Sequence, residues 1–102
     1  MEEKDQFLGY LGDYRVHDSK IEGIFWENTI LIVTLRSCEG EVVVVKFYGV
    51  QTINSNRPIG MMLYSVSEMK ENEPFRKFLF VNWDEEDNAS FEIVAEQIEF
   101  IV

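Results

Sequence analysis

The chain has 102 residues, is 46% hydrophobic and 14% aromatic, and carries a formal net charge of −10. Its length suits one domain, and its apolar content can fill a core, so residues 1–102 read as a single folded unit and not as a disordered acidic chain. Acids outnumber bases nine to five in residues 1–50 and ten to four in residues 51–102; this balance opposes binding to nucleic acid or an anionic membrane and favours a basic protein partner.

The opening MEEKDQFLGYLGDY is acidic and lacks the basic segment and long apolar run of a signal peptide. The longest apolar runs, ILIV and VVVV, are far too short to span a bilayer, which makes the cytoplasm the expected location. Residues 4–11 predict a short N-terminal helix with Phe7, Leu8 and Leu11 on one side, weakened by Gly9 and stopped by Gly12. Strand signals dominate from Lys20. Ile21 and Phe25 fall on one face across Gly23, with Glu22, Ile24 and Trp26 on the other, and Glu27-Asn28 reads as a turn. TILIVTL (29–35) is a β-branched run typical of a strand covered on both faces. SCEGE (37–41) supplies the glycine of a tight turn, so 29–37 and 41–49 predict a hairpin. Cys38, the only cysteine, excludes an internal disulfide and a cysteine zinc cluster, and with Glu39 beside it nothing activates its thiol.

NSNRPIG (54–60) reads as a loop. In MMLYSVSEM, Met62, Tyr64 and Val66 alternate with Leu63, Ser65 and Ser67, which argues a strand; a helix through Met62, Val66 and Met69 is the competing pattern. KENEP (70–74) is a turn, FRKFLFVNW (75–83) an aromatic strand and DEEDN (84–88) an acidic turn. The last strand, 90–102, changes phase: Phe91, Ile93 and Ala95 share one face, Ile98 and Phe100 the other. Side chains alternate with period two, so this predicts a bulge or bend near Glu96-Gln97, of the kind that carries a strand between sheets or round a barrel corner. Six or seven strands with turn signals every 8–12 residues predict a mainly β fold, an antiparallel sandwich or small barrel with the short N-terminal helix.

His17-Asp18-Ser19 invites a catalytic reading, since it holds the only histidine. A nucleophilic triad needs its three side chains to meet, and consecutive residues on an extended chain point to alternate sides, with no glycine-rich elbow before the serine. The simpler reading is structural. Asp18 caps the backbone two residues on in an Asx-turn, and His17 pins a neighbouring loop through one ring nitrogen. A binding role for these three residues is the alternative. No metal site is expected, because one histidine has no carboxylate motif around it, and Asp84-Glu85-Glu86-Asp87 lacks the pattern of an EF-hand loop. That run is either a solvated hairpin tip or the rim of a site for a basic partner, anchored by Trp83. Phe75, Phe78, Phe80 and Trp83 read as core, there being too few interleaved bases for a nucleic-acid platform. No phosphate loop occurs, and no cofactor is implied.

VHDSKIEGI (16–24), two adjoining strands, and the ending SFEIVAEQIEF (90–100) resemble a loose group of small bacterial β proteins, several of them akin to immunity proteins of polymorphic toxin systems. The likeness rests on Val16, His17, Asp18, Ser19 and Ile21 at one end and Phe91, Glu92, Ile93, Ala95 and Ile98 at the other. It implies a cytosolic, non-enzymatic protein that neutralises a toxin domain by binding it, and it transfers no functional residue. The charge pattern adds the expected contacts: Glu68, Glu71 and Glu73 on one turn, and Trp83 with Asp84, Glu85, Glu86 and Asp87 on the other, facing the bases of a toxin such as a nuclease. The rival expectations are a self-associating β module, a homodimer joined through an exposed edge, and a small-ligand binder using the His17 region.

Overall fold

A computed structural model of the chain describes residues 6–84 and 86–101. Those residues form nine β-strands: β1 (Phe7–Leu11), β2 (Lys20–Glu27), β3 (Ile30–Arg36), β4 (Val42–Tyr48), β5 (Thr52–Asn56), β6 (Leu63–Met69), β7 (Arg76–Asn82), β8 (Ser90–Ala95) and β9 (Gln97–Ile101). All pairings are antiparallel, in a five-stranded sheet of order β1-β6-β7-β8-β5 and a four-stranded sheet of order β2-β3-β4-β9. One core joins the two sheets. Leu31, Val33, Leu35, Val43, Val45 and Phe47 come from the smaller sheet and meet Leu63, Val66, Phe78, Phe80, Phe91 and Ile93 from the larger. The arrangement is a two-layer sandwich.

The hairpin of β3 and β4 matches the expectation, with Gly40 at φ +91° in its turn. So does the phase change near the C-terminus. The chain leaves the larger sheet after Ala95 and enters the smaller one at Gln97, with Phe91, Ile93 and Ala95 buried on one side of Glu96 and Ile98 and Phe100 packed on the core from the other. The β4-to-β5 connection crosses between the sheets at the same corner. Glu96 N–H donates to the Tyr48 carbonyl (2.9 Å) and Gln51 N–H to the Val94 carbonyl (2.7 Å). Gly49 makes this corner feasible: its φ is +65°, and a Cβ there would stand 2.8 Å from the Glu96 side chain.

Four expectations are corrected. Residues 7–11 form an edge strand and not a helix, because Phe7, Gly9, Tyr10 and Leu11 pair with Met69, Glu68, Ser67 and Val66 of β6; residues 4 and 5 lie outside the described chain. Among the described residues the strands number nine, not six or seven, since the first segment contributes β1, the last a separate β9 and the segment after β4 an added β5. Thr52–Asn56 is an added edge strand, so the loop narrows to the residues after it; all five of its residues are exposed, which is why no apolar pattern marks it. Finally, bulges at Glu22 and Tyr64 break the simple alternation. Ile21 and Ile24 pair with Leu35 and Val33 and pack on the core, while Trp26, opposite Leu31, is exposed at the end of the strand, and the exposed Phe25 ring covers the buried Gly23. Leu63 and Val66 both reach the core, and Tyr64 is left as the extra, exposed residue.

Candidate functional site

The segment between β1 and β2 is a tight turn hung from the core by Val16, which is 2% exposed. Ser19 is fully buried. Its N–H and its Oγ both donate to the Val16 carbonyl (3.1 and 2.6 Å), so the hydroxyl is spent on closing this turn. Asp18 takes the left-handed conformation (φ +66°), which aspartate tolerates better than most residues. Its carboxylate makes no Asx-turn; Oδ1 accepts the indole N–H of Trp83. His17 Nδ1 donates to the carbonyl of Tyr64 at 2.8 Å, since a carbonyl can only accept. His17, Asp18 and Ser19 therefore do not converge as a triad: the serine points into the fold, and the other two point at partners on β6 and beyond β7.

Segment 60–63 brings these pieces together. Asp18 N–H donates to the Leu63 carbonyl (2.8 Å), Leu63 N–H to the Ser19 carbonyl (2.8 Å) and Trp83 N–H to the Met62 carbonyl (2.9 Å). Sixty-five residues of sequence separate Asp18 from Trp83, yet both are tied to the start of one strand.

On this frame lies a row of exposed rings. Phe7 and Tyr10 stand 5.0 Å apart (ring centroids), Tyr10 and Tyr64 6.4 Å, His17 and Tyr64 5.2 Å, and Tyr64 and Trp83 5.7 Å, all in edge-on geometry; His17 and Trp83 are 6.0 Å apart and tilted. Tyr10 is 64%, Tyr64 41% and Trp83 50% exposed. Edge-to-face packing is the favoured arrangement of aromatic pairs, so the rings hold one another in place without a covering layer. A cleft of about 200 Å³ opens beside the row, lined by Tyr10, Gly12, Asp13, His17, Tyr64 and Ser65 among others. Asp13 at its mouth is forked by Arg15, and that bond holds its carboxyl below the usual carboxylate range.

The acidic turn after β7 adjoins this end. Asp84 Oδ1 accepts the Glu86 N–H (3.0 Å), and Glu86 is exposed. Asp87 is bonded by Asn82 Nδ2 (3.1 Å) and by Arg57 Nη2 (3.2 Å), which together lower its pKa. Glu85 lies outside the described residues. The other acidic turn, with Glu71 and Glu73, joins β6 to β7 at the opposite end of the sheet, a seven-residue strand away or roughly 20 Å. There Glu71 faces Lys77 at 3.7 Å, and Glu68 is forked by Arg76 through bonds of 2.8 and 2.9 Å. The structure thus splits the expected contact residues into two groups and joins one of them to His17 and Asp18. Sequence reasoning missed Tyr10 and Tyr64; the exposed tyrosine in a strand whose core positions are Leu63 and Val66 was the available signal. Among the described residues no cluster of three His, Cys, Asp or Glu side chains is placed to hold a metal ion, and no helix is long and apolar enough to cross a membrane.

The fold and this end of it define an antiparallel β-sandwich with an exposed aromatic and acidic face. Compared with known protein families, curated proteins and solved structures, the chain matches none.

Proposed function

We propose that the protein is a non-enzymatic, cytosolic protein-binding domain, an immunity-type inhibitor that covers a basic toxin domain, and that it binds through the Tyr10–Tyr64–His17–Trp83 end of the larger sheet. One observation carries this reading: a contiguous row of half-exposed aromatic rings, fixed by Asp18 and the Tyr64 carbonyl and bordered by the Asp84–Asp87 turn. Large exposed aromatics on a rigid frame are the commonest anchors of protein interfaces, and exposed apolar patches of this kind mark binding surfaces. The cleft supports a protein partner over a free small ligand, because about 200 Å³ is below the roughly 300 Å³ at which small-molecule sites begin and suits one inserted side chain. The acids around the rings raise the rate of encounter with a basic surface.

The experiment is association with basic toxin domains, beginning with any encoded next to this chain, followed by surface-bound kinetics at low and high salt. Tyr64→Ala and Trp83→Ala should each weaken the complex by about 2 kcal/mol or more, a loss of roughly thirtyfold or greater, and high salt should slow association. Binding untouched by both substitutions would remove the reading. A second reading has one observation in its favour: β5, with sequence TINSN, is an exposed edge without a charge to guard it. A concentration-dependent dimer by sedimentation, abolished by Ser55→Pro, would support self-association instead.

A further inference from the structure

The chain has four arginines, and every one is committed to a carboxylate: Arg15 to Asp13, Arg36 to Glu22, Arg57 to Asp87 and Arg76 to Glu68. Two of these pairs share a further feature. The Arg76 guanidinium lies 5.2 Å from the centroid of the Phe78 ring while Glu68 forks it, and the Arg15 guanidinium lies 5.3 Å from the centroid of Tyr14 while Asp13 forks it. The chain thus builds the same trio twice: an aromatic face, a carboxylate and a guanidinium stacked on the one and paired with the other.

A third place has the first two parts without the last. Tyr64 and Trp83 offer adjoining exposed rings, and the Asp18 carboxylate holds the Trp83 indole. The Trp83 indole occupies Asp18 Oδ1, and His17 Nε2 stands 3.6 Å from that same oxygen, beyond good hydrogen-bond reach. Oδ2 has no hydrogen-bond partner among the described residues, and Asp18 is 39% exposed. No arginine of the chain is left to fill the position.

We propose that this position is the socket for an arginine supplied by the protein partner, its guanidinium stacked on Tyr64 and Trp83 and paired with Asp18 Oδ2. The inference rests on the reading of this end as the binding face and names the chemistry that face takes. Guanidinium fits better than ammonium. It is planar, so it lies flat on a ring while its edge donates to a carboxylate, and it is more weakly hydrated, so less is lost when it leaves water. The Tyr64 and Trp83 rings are inclined at 70° to each other and so offer no single broad platform on which a sugar or a base would stack.

The test needs no natural partner. Trp26→Phe leaves Trp83 as the sole tryptophan and hence as a fluorescent reporter on the socket. This protein is titrated with a glycine-spaced peptide carrying two arginines, and with the same peptide carrying citrulline or lysine instead. The arginine peptide should shift the Trp83 emission with an affinity about tenfold above that of the citrulline peptide and several-fold above that of the lysine peptide. Asp18→Asn keeps the acceptor for the indole and the tolerance of positive φ but removes the charge, and it should weaken the arginine peptide about fivefold or more. Glu27→Gln, at the far end of β2, removes one charge elsewhere and should change nothing. Equal response to arginine and citrulline, or equal response to arginine and lysine, would overturn the proposal. So would a Glu27→Gln effect as large as that of Asp18→Asn, which marks diffuse attraction to an acidic surface. Loss of the toxin domain on Trp83→Ala together with equal peptide responses would remove the arginine socket and leave the binding face standing.

Discussion

The two ends of the five-stranded sheet use the same side-chain chemistry to opposite effect. At one end Glu68 and Arg76 close over Phe78, which is fully buried; Glu68 is only 16% exposed, and the guanidinium serves as a lid on the core. At the other end Asp18 holds Trp83 by its indole N–H, and the ring it fixes is 50% exposed. In the first case a carboxylate organises a cation to cover an aromatic ring. In the second it organises the aromatic ring itself and leaves the ring open. A carboxylate beside an aromatic residue is therefore not a sign of function in itself; what separates the ends is whether the trio is completed from within the chain.

The largest expected contrast is between the rings. Phe78→Ala removes a buried side chain from the centre of the core and should cost ~3–5 kcal/mol, a large fraction of the stability of a small domain. Trp83→Ala should cost only about 1 kcal/mol, because its ring is half in water and the main loss is the bond to Asp18. Urea unfolding followed by far-ultraviolet circular dichroism measures both. Similar losses at the two sites would mean that the exposed row is a structural element, and the contrast would fail.

Next in size is the ion pair. Arg76→Gln should destabilise by ~1–2 kcal/mol at neutral pH, since it removes two charge-assisted bonds from a partly buried carboxylate. The bond from Arg76 holds the Glu68 carboxyl below its ordinary range. A group depressed in the folded state stabilises above its unfolded value of about 4.3 and loses that contribution as pH falls through the lower folded value. The difference between wild type and variant should accordingly be full at pH 7 and shrink toward pH 3. Asp13 and Asp87 shift in the same direction, but both lie in water, where screening leaves such pairs little weight. A difference that stays constant from pH 7 to pH 3 would show that packing of the Arg76 stem, and not its charge, is what matters.

Much of the fold was legible in the sequence, and the reason is periodicity. ILIVTL and VVVVKF, with a glycine between them, leave little choice but a hairpin, and the shift from Phe91-Ile93-Ala95 to Ile98-Phe100 exposed the corner at Glu96. The same signal was present twice more, in the three-residue spacings Ile21 to Ile24 and Leu63 to Val66, and there it was hidden. Phe25, Met62 and Tyr64 are apolar residues on the outer surface, and they complete a false alternation that masks each bulge. β5 left no trace because a strand exposed at every residue has no apolar face to advertise. The site was half legible for a related reason. His17-Asp18 and Trp83 stood out by residue type, but the contact between them depends on the backbone pairing of Asp18 and Ser19 with Leu63 and of Trp83 with Met62, a tertiary fact that no local pattern encodes. The surface aromatics that disguised the bulge at Tyr64 are the ones that make the face.

The smallest effect discriminates best between the two ends. Asp18→Asn should change folding stability by no more than about 0.5 kcal/mol. Asparagine accepts positive φ as readily as aspartate, and its side-chain oxygen can still take the Trp83 indole. Asp18→Ala has neither property and should cost ~1–2 kcal/mol. Glu68→Gln, the matching change at the other end, should cost ~1 kcal/mol or more, because the partner Arg76 is left with a neutral acceptor in a partly buried place. Urea midpoints for the three variants decide the matter. If the charge of Glu68 is needed for stability and that of Asp18 is not, the Asp18 charge is free to serve an incoming cation. If Asp18→Asn costs as much as Glu68→Gln, that carboxylate is part of the scaffold and both ends of the sheet are lids.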